Sequence, residues 1–239
     1  AAPEIEIEQL RRHLRSTDDL RALPQVGGFR LESPYLQNAG GGQSRDTAPI
    51  SGAVTEALLS AGKGRIRIWD VSPELPGALQ TIAMLSARGV VCSLAHTRAS
   101  IEQAQAAVDA GARLVTHLFD TFVPPEMTLA GVYPAGLTDY LLVEDRVVCE
   151  LIGDGLHVHP LLVEKAFRCK PPHGLAFVTD GNVGAGLPPG RYPLPNDWGT
   201  AVIDGPNNGV RLLERNMDLA GSALTPLDVF TNIVRLFGK

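Results

Sequence analysis

Four short apolar runs, each leading to a histidine or an aspartate, constrain this chain more than any other feature. Val90-Val91-Cys92-Ser93-Leu94-Ala95 leads to His96, and Arg113-Leu114-Val115-Thr116 leads to His117. Val147 to Ile152, followed by Gly153-Asp154-Gly155-Leu156, leads to His157, and Leu175-Ala176-Phe177-Val178-Thr179 leads to Asp180. Runs of this length, rich in Val, Ile and Leu and separated by helical segments, predict buried parallel strands. In such sheets the carboxyl ends of the strands are where ligands bind and chemistry is placed. Three imidazoles and a carboxylate delivered in succession to one rim point to a metal-assisted hydrolytic site.

Composition narrows the classes. A chain of 239 residues with 44% hydrophobic and 20% charged residues is long enough for one large folded domain. Its net charge of -5 gives no electrostatic footprint for nucleic acid or an anionic membrane. No apolar stretch approaches the roughly 20 residues of a membrane helix. The start, Ala1 to Glu8, is acidic and amphipathic, unlike a signal peptide. Cys92, Cys149 and Cys169 are odd in number and widely spaced, which argues against a disulfide framework and for a reducing cytoplasm.

Along the chain, Ile7, Leu10 and Leu14 give Ile5 to Leu14 a helical spacing. A strand at Gly27 to Glu32 runs into a loop containing Gly40-Gly41-Gly42. A helix from about Ser51 to Ala61 precedes the strand Arg65 to Trp69. Ser72-Pro73-Glu74-Leu75-Pro76 is expected to open a helix that ends near Arg88-Gly89. Ser100-Ile101-Glu102-Gln103 begins an alanine-rich helix that ends near Gly111, with Ser100 or Thr97 as candidate cap. A long loop runs from Asp120 to about Tyr140, a length that usually signals function. Pro160 starts another helix. From Gly184 onward the texture changes to short alternating runs, a small antiparallel excursion, before a final helix from Pro226 to about Phe237. Six strand and helix units result, where a closed (β/α) barrel has eight. Either two units lie outside this chain or the fold is another α/β arrangement.

Glu32, His96 and His117 supply one carboxylate and two imidazoles, a normal ligand set for a divalent zinc or iron ion with positions left open. Asp180, at the end of a buried strand, is the candidate general base, although Thr179-Asp180-Gly181-Asn182 also reads as a turn that an aspartate would cap. His157 is placed to donate a hydrogen bond to a substrate carbonyl or hydroxyl. His159, of opposite strand parity and followed by Pro160, is expected to be structural.

Seven segments occur in the order found in a known family: Leu31-Glu32-Ser33-Pro34-Tyr35-Leu36, Ser72-Pro73-Glu74-Leu75-Pro76-Gly77, Ala95-His96-Thr97-Arg98-Ala99, Thr116-His117-Leu118-Phe119-Asp120, Asp154-Gly155-Leu156-His157-Val158-His159-Pro160, Val178-Thr179-Asp180 and Leu219 to Thr225. From Gly28 to Thr225 the chain resembles the N-acetylglucosamine-6-phosphate deacetylases of the amidohydrolase superfamily. The resemblance implies a TIM-like (β/α)8 barrel lacking its first two strands, with remnants of a small β-sandwich. Residues 1–183 would form the partial barrel with the metal site, 184–218 the antiparallel excursion, and 219–239 the return to a barrel helix. It implies Glu32, His96 and His117 as ligands of a divalent metal, zinc or else iron, and Asp180 as the acid/base. His157, Asp120 and Thr121 would contact an N-acetyl amino sugar, hydrolysed to acetate and free amine by a cytoplasmic homodimer.

Departures bear on the substrate. Where relatives carry Asn this chain has Asp120, and no Lys or Arg occurs between Leu118 and Asp145. A carboxylate facing a phosphate is repulsive. Arg98 is a possible substitute cation, and Ser33 and Gly181 are milder changes. Two alternatives therefore stand beside the deacetylase: an amidohydrolase for an unphosphorylated N-acyl substrate, and a catalytically silent barrel remnant.

Overall fold

The apolar runs become strands in the computed structural model, which describes residues 8, 11, 12, 14, 15, 23–40, 47–127, 129–182, 184–194 and 198–238. Six of them, β1 (Phe29–Leu31), β2 (Ile66–Val71), β3 (Val91–Leu94), β4 (Leu114–Val115), β5 (Val148–Ile152) and β6 (Leu175–Val178), form one sheet in sequence order. The pairs β1–β2, β2–β3 and β5–β6 are parallel. Between successive strands lie α1 (Gly52–Gly62), α2 (Ala78–Ala87), α3 (Ile101–Ala110), α4 (Leu137–Val143) and α5 (Pro160–Cys169), the last before β6. Strand neighbours that follow one another through helices are the connectivity of a (β/α) barrel wall.

The helices start where the side chains say. Ser51 accepts a hydrogen bond from Val54 N at the start of α1, and Ser100 and Gln103 form a reciprocal capping box on α3. His159 caps α5, its Nδ1 accepting from Leu161 N at 3.1 Å, with Pro160 in the first turn. That is the structural role expected of His159.

Two expectations are corrected. The helix anticipated from Ser72 begins only at Ala78, because Gly77 takes a left-handed backbone (φ 85°) and the Ser72 and Glu74 side chains bond elsewhere in the chain. The loop expected from Asp120 to Tyr140 ends at Gly136, where α4 begins. Its seven residues are too few for a clear apolar period, though Leu137, Leu141 and Leu142 are buried. Most of the segment Ile5 to Leu14, and most of the glycine loop at Gly40-Gly41-Gly42, lies outside the described residues.

The chain divides into two compact units, one of Ala1–Ala39 with Ser44–Leu114, the other of Gly40–Gln43 with Val115–Lys239. In the first, Trp69 and Tyr35 are fully buried and stack with ring centroids 5.6 Å apart. Aromatic pairs of this kind bring large apolar area and a further 0.5–1.5 kcal/mol or so from stacking. The Tyr35 hydroxyl meets Thr55 Oγ1 at 2.8 Å and Ser51 O at 2.9 Å, so its polar end is satisfied.

In the second unit, Leu118, Leu141 and Leu151 are fully buried. This unit also holds the antiparallel excursion: β7 (Gly190–Pro193), β8 (Thr200–Ile203), β9 (Arg211–Leu212) and β10 (Asp218–Leu219), in the order β10-β9-β8-β7. Ala201, Ile203, Val210 and Leu212 pack into its own small core. The chain then enters α6 (Pro226–Phe237), capped by Thr225 and Asp228.

Among the described residues no helix is long and apolar enough to cross a membrane. All three cysteines are free. Burial pushes the Cys92 and Cys149 thiols up to about 11, which leaves them protonated and inert at neutral pH.

Candidate metal centre

In the first unit, Glu32 is the residue immediately after β1 and His96 lies two residues beyond β3. Glu32 Oε1 and His96 Nε2 are 2.8 Å apart, with the His96 ring almost fully buried and the Glu32 side chain 47% exposed. His96 has a left-handed backbone, φ 48°. For a non-glycine residue such a conformation costs about 1–3 kcal/mol and persists only where neighbours over-determine it.

Those neighbours are present. The His96 carbonyl accepts from Asn38 Nδ2 at 3.0 Å and from Ser72 Oγ at 3.1 Å. Thr97 Oγ1 and Arg98 N both donate to the Glu74 carboxylate. Two residues before Glu32, Arg30 Nε donates to the buried Asp70 carboxylate at 3.0 and 3.2 Å.

The second unit repeats the device. His117 lies two residues beyond β4 with φ 28°, and Asp180 two residues beyond β6 with φ 46°. Phe119 and Thr121 are also left-handed, at 81° and 60°. Leu118 N donates to Glu150 O at 2.7 Å and so ties the His117 turn to β5. Asp120 Oδ2 is 4.0 Å from His117 Nδ1, beyond hydrogen-bond reach. Thr121 Oγ1 is buried with no hydrogen-bond partner among the described residues, as a hydroxyl set aside for a ligand would be.

His157 is held by a residue to which the sequence assigned no role. The fully buried Asp154 carboxylate meets His157 Nδ1 at 2.5 Å and accepts from the Leu156 and His157 amides at 2.8 and 3.0 Å. This pairing leaves Nε2 as the free edge of the ring. Burial works to lower the His157 pKa, but the hydrogen bond and charge of Asp154, with the charges of Asp120 and Asp180, raise it overall. Burial works to raise that of Asp154, and the His157 contact with the two amides carries it below the usual carboxylate range.

Glu32, His96 and His117 each offer one ligand atom, and these atoms all lie within 4.8 Å of one another. One carboxylate oxygen and two imidazole nitrogens at such spacing can hold a metal ion. The set suits a divalent cation of the zinc or iron class, with bonds of about 2.0–2.2 Å and positions left for other ligands.

No family model matches the chain. Curated proteins do. It is 32% identical over 177 residues to N-acetylglucosamine-6-phosphate deacetylase of Danio rerio, covering 71% of this chain and 43% of that protein. It is 32% identical over 216 residues to N-acetylgalactosamine-6-phosphate deacetylase of Escherichia coli, covering 90% and 54%. Among solved structures, N-acetyl-D-glucosamine-6-phosphate deacetylase of Mycobacterium smegmatis superposes with a TM-score of 0.84 at 30% identity, over 100% of this chain and 60% of that one. The chain is a homologue of the N-acetylglucosamine-6-phosphate deacetylases. It spans about half the length of the curated relatives it matches.

The resemblance read from the seven segments is thereby borne out, and so is the TIM-like, amidohydrolase type of fold. Beside these deacetylase motifs, several supporting residues escaped sequence reasoning: Asp154, Glu74, Ser72 and Ser222. Asp154 had a local signal in its Asp-x-x-His spacing. The other three act on turns distant in sequence, so no local pattern betrays them.

Proposed function

We propose that this chain carries the metal site of an amidohydrolase that removes the acetyl group from an N-acetylhexosamine 6-phosphate, releasing acetate and a free amine. The convergence of the Glu32, His96 and His117 ligand atoms is the observation that carries this proposal. Relatives named for the glucosamine and the galactosamine 6-phosphates support the substrate class. So does a variant of the Mycobacterium smegmatis enzyme solved with N-acetyl-D-glucosamine-6-phosphate.

In this mechanism Glu32, His96 and His117 hold a divalent cation, zinc or else iron. When bound, such an ion polarises a carbonyl and lowers the pKa of water. Asp180 accepts the proton of the attacking water and returns it to the departing nitrogen, the two halves of acid/base catalysis by one carboxylate. His157, as the imidazolium that the Asp154 carboxylate favours, gives its Nδ1–H to Asp154 and donates its Nε2–H to a substrate oxygen on which charge develops. Asp120 and Thr121 contact the sugar, Thr121 through its buried hydroxyl.

The six-stranded sheet corresponds in this proposal to the third to eighth strands of a (β/α)8 barrel, with residues 1–183 and 219–239 in the barrel and 184–218 as β-sandwich remnant. Free cysteines support a cytoplasmic setting. A homodimer is consistent with Leu227, Phe230 and Val234 exposed on α6, and molar mass in solution tests it.

Elemental analysis and kinetics of the full-length enzyme decide the matter. His96→Ala is expected to lose the metal, whereas Asp180→Asn keeps it and loses about three or more orders of magnitude in turnover. Near-normal activity in Asp180→Asn would remove Asp180 from the chemistry. Protein free of metal when freshly prepared would favour a silent barrel used for binding. One observation favours a second substrate: Asp120 is partly exposed, and no Lys or Arg lies between Leu118 and Asp145 to offset it against a phosphate. Assays with N-acetyl sugars that carry or lack the phosphate separate the two.

A further inference from the structure

Ser72 to Gly77 connect β2 to α2, and their polar side chains turn away from the helix they precede. Glu74 uses both carboxylate oxygens on the residues that follow His96. Thr97 Oγ1 donates to Oε2 at 2.5 Å, and the Arg98 amide donates to Oε1 at 2.6 Å. The Thr97 hydroxyl in turn accepts from the Ala99 amide at 2.9 Å. Three consecutive residues are therefore locked to one carboxylate, directly or through a single hydroxyl. Hydrogen bonds to an ionised acceptor at these lengths are the strong kind.

On the upstream side, Ser72 Oγ donates toward Ala95 O at 2.8 Å and His96 O at 3.1 Å, and it accepts from Gln37 N at 2.8 Å. Asn38 Nδ2 reaches the His96 carbonyl as well. His96 thus sits at the centre of a clamp. Its carbonyl is gripped on one side, and the two residues after it are gripped on the other. The backbone it occupies, φ 48°, is one that a histidine leaves readily when the surroundings let it.

From this geometry we infer that Glu74 is the positioning residue of the His96 ligand: it holds His96 in its left-handed conformation so that Nε2 is delivered beside Glu32 Oε1, and it thereby sets how tightly the chain binds its metal. The inference rests on Glu32, His96 and His117 being metal ligands. Groups that orient a ligand without touching the ion typically change metal affinity about 10–100-fold when removed. Glu74 acts here on the ligand's backbone instead of its ring.

The test is a titration of metal-free full-length protein with Co²⁺ alone, followed by the visible absorption of the bound ion. Wild type is expected to bind with a saturable band that His96→Ala abolishes. Failure at this first step would sink the assignment of the metal ligands themselves, before Glu74 is touched. Given binding, Glu74→Ala is expected to weaken it about 10–100-fold and to alter the band. Glu74→Gln keeps an oxygen acceptor for one of the two donors, so it should fall between Ala and wild type. Should Glu74→Ala not fold, Thr97→Val removes one clamped donor and is expected to weaken binding in the same direction.

Melting of the metal-free proteins supplies the control. Glu74→Gln, which loses one acceptor, is expected to melt somewhat lower than wild type while its Co²⁺ affinity falls by more than that loss of stability accounts for. Equal Co²⁺ affinity in wild type, Glu74→Gln and Thr97→Val overturns the inference. So does a loss of affinity that merely follows the loss of metal-free stability.

Discussion

The turns that carry His96 and Asp180 share a backbone and differ in what holds it. Each presents its side chain two residues beyond a parallel strand, in a left-handed conformation that only surrounding contacts can maintain. Around His96 those contacts come from side chains: Ser72, Asn38 and Glu74. Around Asp180 main-chain pairing joins side-chain bonds, in which Asn182 Nδ2 donates to Ala220 O at 2.6 Å and Gly181 N to Thr179 Oγ1 at 3.2 Å. Ser222 N donates to Asp180 O at 2.8 Å, Asn182 N donates to Ser222 O at 3.1 Å, and Gly181 and Ser222 form a parallel bridge. The Ser222 hydroxyl adds a bond to Thr179 O. The His96 turn is thus held by polar side chains that substitution can tune, whereas the Asp180 turn adds a main-chain pairing with Ser222, next to Gly221, where there is no room for bulk.

If that contrast is right, Gly221 is where the second turn breaks. Gly221 has φ 73°, and a Cβ there would lie 2.7 Å from Asp180 O. Gly221→Ala should therefore cost about 2–4 kcal/mol, the sum of a left-handed alanine and an overpacked contact. Chemical denaturation measures that loss, and turnover should fall with metal content unchanged. Loss of metal in this variant would merge the two turns into one device.

Ser72→Ala tests the first turn. It strands the Gln37 amide and removes a donor from the Ala95 and His96 carbonyls, so about 1–3 kcal/mol of stability should go. Here metal affinity should fall before turnover of the metal-saturated enzyme does. Unchanged affinity would mean that Asn38 and Glu74 suffice.

The smallest expected effect is one of pH, at the Asp154 and His157 pair that belongs to neither turn. The His157 pKa is raised on folding, so its contribution is complete below the ordinary value of 6.5 and is lost as pH climbs through the raised value. The Asp154 pKa is lowered, so its contribution is present above the ordinary value of 3.8 and is lost as pH drops through the lowered one. The pair therefore stabilises most between about pH 4 and 6.5. Melting midpoints of the metal-free protein should decline as pH rises beyond that window, and Asp154→Asn should flatten the decline.

Much of the sheet was legible because an inner parallel strand leaves a mostly apolar run, as Val147 to Ile152 does around its one Glu150; Leu175 to Val178 shows the same run but is only half-buried, where full burial was expected. The candidate ligands were legible as far as their meeting goes, since Glu32, His96 and His117, each read at a strand end, bring their ligand atoms within 4.8 Å of one another. Of the two caps open for α3, Ser100 and Thr97, the structure uses Ser100, and the helix expected from about Ser51 starts at Gly52 with Ser51 as its cap. The late start of α2 at Ala78 and the presence of α4 escaped, one because Ser72 and Glu74 bond to a turn more than 20 residues away, the other because seven residues show too little period.

By itself the sequence determined which residue types stand at the ends of which strands, because burial and strand length act locally and leave a pattern. Only the tertiary structure decided that His96, His117, Thr121 and Asp180 adopt backbones that they would otherwise avoid. It also decided that Glu74, Ser72, Asp154 and Ser222 are the groups that brace the site. Conformations of that kind are imposed by contacts between segments distant in the chain, and no local preference for φ or hydropathy records them.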